Sequence, residues 1–400
     1  MFQVRILNDD LQAHIFRPRT YIVEAWIRNS SSFVGYGSHT DCDTAKQIAI
    51  AEACERLAVY TTDIPLNIGT LNASSRRIDP RGLMPLTAEQ RQHVYLADFN
   101  PDLEYRWITA QEIISRSQVE LIADCCLFSL SAIWPNGRVA WANSNGMAAG
   151  YTYERAEQSA LLELFERDAL MNIWMSRFSP PRIDNQLLPD EAASIQDSLA
   201  VTGYQFVTLN ATCRQVPVVI ILASRDQRPA LILTAAARFT LTDAIIAAWH
   251  ELETEISIRL LHERLSDQPT PGLKLPITQV RSHADHTKFY AEPDNQSYAD
   301  FLWQNHSTSR PPCVETMSPI PASKGWNLRE CCLNLSLNQV YYLDYGLVHG
   351  HHVIRLASPN LVPLMFGYNQ FPLAHQARKT CGINHSVSCW NGPVPPHPLD

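Results

Sequence analysis

The chain has 400 residues, 46% apolar and 18% charged, with a formal net charge of −8. This is an ordinary globular composition, long enough to bury a sizeable core in one large domain or two to three smaller ones. The acidic balance argues against a general nucleic-acid binder, which carries a basic face, although a local cluster of cations can still hold an anion.

Other classes fall away on patterning. The start, MFQVRILNDDLQAHIF, has no positive segment followed by a long apolar run, so no signal peptide is expected. No window reaches 18 uninterrupted apolar residues, so no membrane-spanning helix is expected and a cytoplasmic location follows. Ten cysteines include the adjacent pairs Cys125-Cys126 and Cys331-Cys332 but no C-x-x-C, which points to reduced, buried thiols. Cys381, His385 and Cys389 have a spacing that suits zinc, without an evident fourth ligand nearby.

In chain order, RTYIVEAWIRN reads as a strand and VGYGSHTDCD as a glycine turn. TAKQIAIAEACERLAVY has apolar residues at helical spacing, with Asp43 or Thr44 as its N-cap. Residues 61–100 look irregular. LIADCCLFSLSAIW and RVAWANSN read as two strands joined by a PNG turn. TYERAEQSALLELFERDALMNIWMSRF is the strongest helical pattern in the chain. GYQFVTLNAT, VPVVIILASRD and ALILTAAARF read as buried strands. TLTDAIIAAWHELETEISIRLLHERL is a third long helix, capped at Thr242 or Asp243. Residues 266–325 form a polar excursion with a short helix near YADFLWQNH, and QVYYLDYG and HHVIRLASPNLVPL return to strands. The fold class is therefore α+β, with mixed sheets and packed long helices. No G-x-G-x-x-G and no G-x-x-x-x-G-K-[ST] is present.

One pattern occurs twice. AEACERLA carries Glu52, Glu55 and Arg56; LELFERDA carries Glu163, Glu166, Arg167 and Asp168. Both read E-x-x-E-R, which places two carboxylates and a guanidinium on about one turn of helix. Such charges beside an apolar stripe are either solvent-side Glu–Arg pairs or a cage of oxygen ligands for a hard cation. Magnesium in such a cage usually shares its coordination with phosphates. The preceding ANSNGMAAGYT, with Ser144 and Asn145, is either a tight connection or a nest for phosphate or ribose.

Together, S-N-G-x-A-A-G, E-x-x-E-R-D and P-P-R resemble the central signature of the YcaO family of ATP-dependent peptide-modifying enzymes. AIAEACERL resembles the family's first carboxylate helix, TLTDAIIAAWHELETEI its third, and GHHVIRLASPNLVPLMFG its late strand and loop. The resemblance implies an ATP and Mg²⁺ site without a Walker loop. Glu52, Glu55, Glu163 and Glu166 would be Mg²⁺ ligands, and Ser144 and Asn145 would line the nucleotide site. Arg56 and Arg167 would meet phosphates or brace the carboxylates, and Glu251 would be the acid of the third helix.

The closing PVPPHPLD resembles the proline-rich tail of the azoline-forming branch. In that branch a Cys, Ser or Thr of a precursor peptide attacks the preceding carbonyl and ATP activates the amide oxygen. His397 and Asp400 are then the candidate bases. The organisation implied is an extension at 1–20, a catalytic domain at 21–378 and a tail at 379–400 that reaches the active site. A separate E1-like or ThiF-like leader-binding subunit is expected, with a homodimer inside the larger complex, and a flavin-dependent dehydrogenase where azoles are the product. Four positions depart from the family pattern: Tyr36, Ile48, Thr254/Glu255 and Val362. The alternatives are thioamide or amidine formation, and a non-catalytic scaffold.

Overall fold

A computed structural model describes residues 2–8, 18–27, 33–61, 64–84, 86–128, 135–265, 274–304, 325–371 and 394–399. Cys381, His385, Cys389 and Asp400 lie outside the described residues.

The chain opens with β1 (Phe2–Ile6), β2 (Tyr21–Ile27) and β3 (Gly35–His39), an antiparallel sheet in that order. Helix α1 (Cys42–Thr61) lies against β3. Then come β4 (Leu66–Gly69), the short α2 (Ala88–His93), the hairpin β5 (Tyr105–Glu112) and β6 (Ser117–Ile122), and β7 (Met147–Gly150). The long α3 (Tyr153–Ser176) and α4 (Asp190–Leu199) lead into β8 (Gln205–Asn210), β9 (Val218–Ser224) and β10 (Leu231–Ala237). Helix α5 (Leu241–Leu265), α6 (His283–Tyr290) and α7 (Leu328–Asn334) precede the final hairpin β11 (Tyr341–Val348) and β12 (His351–Ala357). The second sheet has the order β10-β9-β8, and the third β4-β5-β11-β12-β7 with β6 also on β5. Every pairing between these strands is antiparallel.

Side-chain alternation shows how the layers meet. In β9, Val218, Ile220 and Leu222 join the core under α3, while Val219, Ile221 and Ala223 join the core under α5. A strand buried on both faces has no need of polar positions, which is why β9 and β10 read as continuous apolar runs. Helix α3 thus sits between the second and third sheets, and α5 covers the other face of the second.

The glycine turn expected at VGYGSHTDCD is instead strand β3. A Cβ on Gly37 would collide with the backbone of Ala45 and Ala49, and one on Gly35 with that of Ala49 and Ala53. Ala45, Ala49 and Ala53 recur every four residues along α1 and are fully buried. The glycines and alanines let helix and strand backbones touch. Gly37→Ala is therefore expected to destabilise the protein by about 1–3 kcal/mol or more, which thermal unfolding would detect.

Other local expectations also shift. RVAWANSN is not a strand: Val139 N–H donates to Asp124 Oδ2 at 3.2 Å and its carbonyl accepts from Arg91 Nη1 at 2.8 Å, so side chains replace the ladder. Among the described residues of the stretch before it, β6 ends at Ile122 and a 3₁₀ turn follows at Ala123–Cys125. Helix α1 is capped by Asp41, whose Oδ1 accepts from Thr44 N–H at 2.8 Å, and α5 by Thr240, whose hydroxyl accepts from Asp243 N–H at 3.0 Å. Residues 61–100 hold β4 and α2, and a 3₁₀ segment, Pro293–Trp303, occupies the region of the expected short helix.

Candidate active site

The two E-x-x-E-R segments face each other. Three of the four carboxylates are tied to a backbone N–H beyond their own helix. Glu52 Oε2 accepts from Tyr36 N–H of β3 at 2.6 Å, and Glu55 Oε1 from Ala149 N–H of β7 at 2.8 Å. Glu166 Oε2 accepts from Ala237 N–H at the end of β10 at 3.1 Å, and Glu163 Oε1 accepts from Arg167 Nη2 on its own helix at 3.3 Å. Strand ends from all three sheets therefore converge on carboxylates of α1 and α3.

Burial makes this arrangement electrostatically expensive. Desolvation, then the charge of Glu163, holds Glu55 well above the ordinary carboxylate range. Desolvation pushes Glu163 up to about 7, against the opposing pull of Arg167. Glu166 and Glu251 are raised as well, by burial first. Arg167 is the internal counter-ion, with Nη2 at 3.3 Å from Glu163 Oε1 and Nη1 at 3.4 Å from Glu166 Oε1. It braces the carboxylates. Arg56 does the same on α1, at 2.6 Å from Glu52 Oε1, from a half-exposed position.

The second oxygen of Glu163, Oε2, is buried and has no hydrogen-bond partner. An orphaned carboxylate oxygen beside a second raised carboxylate, Glu55, in an all-oxygen donor set, fits a hard divalent cation. Among the described residues no three His, Cys, Asp or Glu side chains are close enough to hold a metal unaided.

A cleft of about 580 Å³ opens beside these groups. Tyr36, Ile48, Glu52, Arg56, Glu251, Thr254 and Glu255 line it, so three of the four departures from the family pattern share one surface. The fourth, Val362, donates its N–H to Asp168 Oδ1 at 2.7 Å. Asp168 is fully buried; desolvation raises it to about 6, while Val362 N–H and Arg214 act against that. It anchors the loop after β12.

Ser144 is exposed, and its carbonyl closes a turn by accepting from Met147 N–H at 2.9 Å. Asn145 is buried: its Nδ2 donates to Leu364 O at 2.8 Å and its Oδ1 accepts from Leu364 N–H at 3.2 Å. Its amide braces the late loop. The turn requires Gly146, whose φ of +67° and closeness to Leu356 O exclude a side chain.

Sequence reasoning missed several lining residues. Glu191 of α4 meets His250 Nε2 at 2.8 Å, and Arg238 eases the charge on Glu166 and Glu251. The signal for Arg238 was present: a lone basic residue between an apolar strand and a helix start.

The described tail residues, 394–399, lie inside the protein. Val394, His397 and Leu399 are buried, and Leu399 bridges Leu233 of β10 in parallel. At Leu399 the tail therefore points along β10 toward Ala237, where Glu166 is held; four residues of strand span about 13 Å. His397 packs against Phe366, with ring centroids at 5.5 Å, and its Nε2–H donates to Met365 O at 2.9 Å. Its Nδ1 is buried without a partner. Burial, then the nearby His286 and the positive Arg167, keeps this imidazole well below its ordinary pKa, hence neutral.

A family model described as YcaO cyclodehydratase, ATP- and Mg²⁺-binding, matches residues 34–362. No curated protein sequence matches the chain. Among solved structures, a heterocyclase in complex with substrate and cofactor superposes with a TM-score of 0.70 at 19% identity, over 90% of this chain and 50% of that one. YcaO from Methanopyrus kandleri bound with AMPPCP and Mg²⁺ gives 0.64 at 15%, over 90% and 85%. The E. coli microcin synthetase McbBCD complex gives 0.60 at 16%, over 87% and 86%. The chain thus spans half the length of the first of these. Among the described residues no helix is long and apolar enough to cross a membrane.

Proposed function

The chain belongs to the YcaO cyclodehydratase family, whose members bind ATP and Mg²⁺, and from that membership we propose that it is the ATP-dependent enzyme that closes azoline rings in a precursor peptide. The observation that carries the reading is the set of backbone-pinned carboxylates on α1 and α3 with the orphaned Glu163 Oε2. In the reaction, a Cys, Ser or Thr side chain adds to the preceding carbonyl, the resulting oxygen takes the γ-phosphoryl of ATP, and loss of phosphate and a proton leaves thiazoline or oxazoline. Phosphorylation turns an amide oxygen into a leaving group, and such transfer needs mainly positioning and charge neutralisation.

Glu52, Glu55, Glu163 and Glu166 would hold Mg²⁺, which when bound neutralises charge on the triphosphate. Arg167 keeps two of these carboxylates in place, and Arg56 and Glu251 line the cleft that would receive the nucleotide. Ser144 presents an exposed hydroxyl at the turn before β7. His397 offers a neutral, unpartnered Nδ1 as proton acceptor, with the carboxylate of Asp400 as the second candidate.

The similar McbBCD structure with pro-MccB17 bound is a multi-protein complex, 15% identical to this chain over 90% of its length. By analogy this chain would work on a precursor peptide beside a leader-binding subunit of the E1-like or ThiF-like kind. A homodimer within the complex, a flavin-dependent dehydrogenase for azole products and a cytoplasmic setting belong to the same proposal.

The test is the mass of a co-expressed precursor peptide. A loss of 18 Da per modified Cys, Ser or Thr (about one water each) is the expected result. A gain of about 16 Da would instead indicate exchange of oxygen for sulfur, and no change with all partners present would exclude both activities.

A further inference from the structure

Proline has no N–H, so a proline-rich tail can offer its surroundings carbonyl acceptors but few donors. Whatever seats it must therefore supply donors. Three side chains distant in sequence do so, one for each of three successive carbonyls. Trp174 Nε1–H of α3 donates to Pro395 O at 2.8 Å. Tyr290 Oη–H of α6 donates to Pro396 O. His286 Nδ1, also on α6, meets His397 O at 2.7 Å. The other nitrogen of His286, Nε2, accepts from Gly367 N–H at 2.7 Å, which fixes the tautomer: Nδ1 carries the proton and donates.

His286 is 1% exposed and Trp174 and Tyr290 are fully buried. The rings of His286 and His397 meet edge-on at 4.7 Å. His286 thus ties the 365–367 loop to the same residue whose Nε2 donates to Met365 O in that loop.

We propose that Trp174, Tyr290 and His286 form a donor rail that sets the depth to which the tail enters the site, with His286 as the principal positioning residue. The catalytic role of this rail rests on the reading of the tail given above. The rail takes three consecutive carbonyls, which a slip by one residue would exchange for equivalent ones, so it fixes location; the side chain of His397, whose Nε2–H donates to Met365 O, singles out the register. The three residues touch the tail's backbone and contribute no group to the reaction.

The test compares Tyr290→Phe and His286→Ala with the wild type, each as the full chain with its precursor peptide and partners. Tyr290→Phe deletes one hydroxyl and keeps the ring, so its fold is safe even where His286→Ala lowers the melting temperature. Two quantities are read: hydrogen exchange in the C-terminal peptide, and kcat against KM for ring formation.

Exchange at the His397 and Leu399 amides should rise roughly tenfold in Tyr290→Phe, with the rest of the chain unchanged. kcat should fall by a similar factor while KM for ATP stays put. A global rise in exchange, or KM changing with kcat preserved, would mean a merely structural role. Unchanged exchange in both variants would overturn the rail itself. If the wild type makes no rings but the tail exchange responds as expected, the rail stands and the cyclodehydratase reading falls.

Discussion

Glu163→Gln is expected to reduce ATP-dependent ring formation by at least roughly 10²–10³-fold, the scale of removing one electrostatic stabiliser of a transition state, while the protein stays folded. The amide keeps the size of the side chain and removes its charge. Oε2 of Glu163 is the carboxylate oxygen that the fold leaves buried without a partner. Unimpaired turnover in this variant, or in Glu163→Gln combined with Glu166→Gln, would refute the cation site.

The same variant has a signature that needs no activity. In the metal-free protein Glu163 titrates near 7 against an ordinary value of 4.5. Below 4.5 the group is neutral in both folded and unfolded chains. Between 4.5 and 7 the folded state holds the proton that the unfolded state has released, so stability is lost as pH rises through this window and levels off above it. Gln cannot titrate. The melting temperature of Glu163→Gln relative to wild type should therefore climb from pH 4.5 to 7. Adding Mg²⁺ and ATP should narrow the gap by restoring the charged wild type, and a flat difference across the window would count against the assigned environment.

How much of this was readable beforehand depends on how local each feature is. The long helices were legible because apolar spacing and Glu-x-x-Glu-Arg both sit within one helical turn. Strands β9 and β10 were legible because burial on both faces removes nearly every polar position; Thr234 of β10 remains, its hydroxyl donating to Ala248 O at 3.2 Å. Strand β3 was not, because its glycines look like a turn until α1 is laid upon them and Gly35 and Gly37 prove to be contact points. The 138–142 segment carries strand-like composition, yet its backbone is served by Asp124 and Arg91, which no local rule reveals.

The site divides in the same way. The paired carboxylates Glu52, Glu55, Glu163 and Glu166 stood out by their spacing, which left solvent-side Glu–Arg pairs and a cation cage both open; the ligand role was implied by the resemblance, and the meeting of Glu52, Glu55 and Glu166 with strand N–H groups came only with the fold. Glu251 needed the resemblance, since one acid on an amphipathic helix has no distinguishing spacing. Asn145, which the resemblance places with Ser144 at the nucleotide site, also braces a loop 219 residues away, a contact no local pattern reveals. The rail beneath the tail was invisible for the same reason: Trp174 is 221 residues from its acceptor, Tyr290 106 and His286 111.

Removal of residues 396–400 should abolish ring formation, by roughly 10² or more, while nucleotide and Mg²⁺ binding survive. Tail and cleft draw on different elements. The cleft is built from β3, α1, α4 and α5, and none of the described tail residues lines it. The tail is held by α3, α6, the 365–367 loop and β10. Truncation takes away both proposed bases at once: His397, whose neutral Nδ1 is the unpartnered acceptor on this path, and Asp400. It also leaves Tyr290 and His286 without their acceptors, so some loss of stability is expected, on the order of 1–3 kcal/mol for each buried donor left unpaired. Calorimetric titration with ATP and Mg²⁺ separates the two effects. Intact binding with no peptide conversion would place the tail in the chemistry; conversion at the full rate would leave it a structural strap. Point changes then divide the bases. If His397→Ala is inactive and removal of Asp400 is tolerated, the imidazole is the acceptor; the reverse result assigns the role to the carboxylate and makes His397 the residue that seats it.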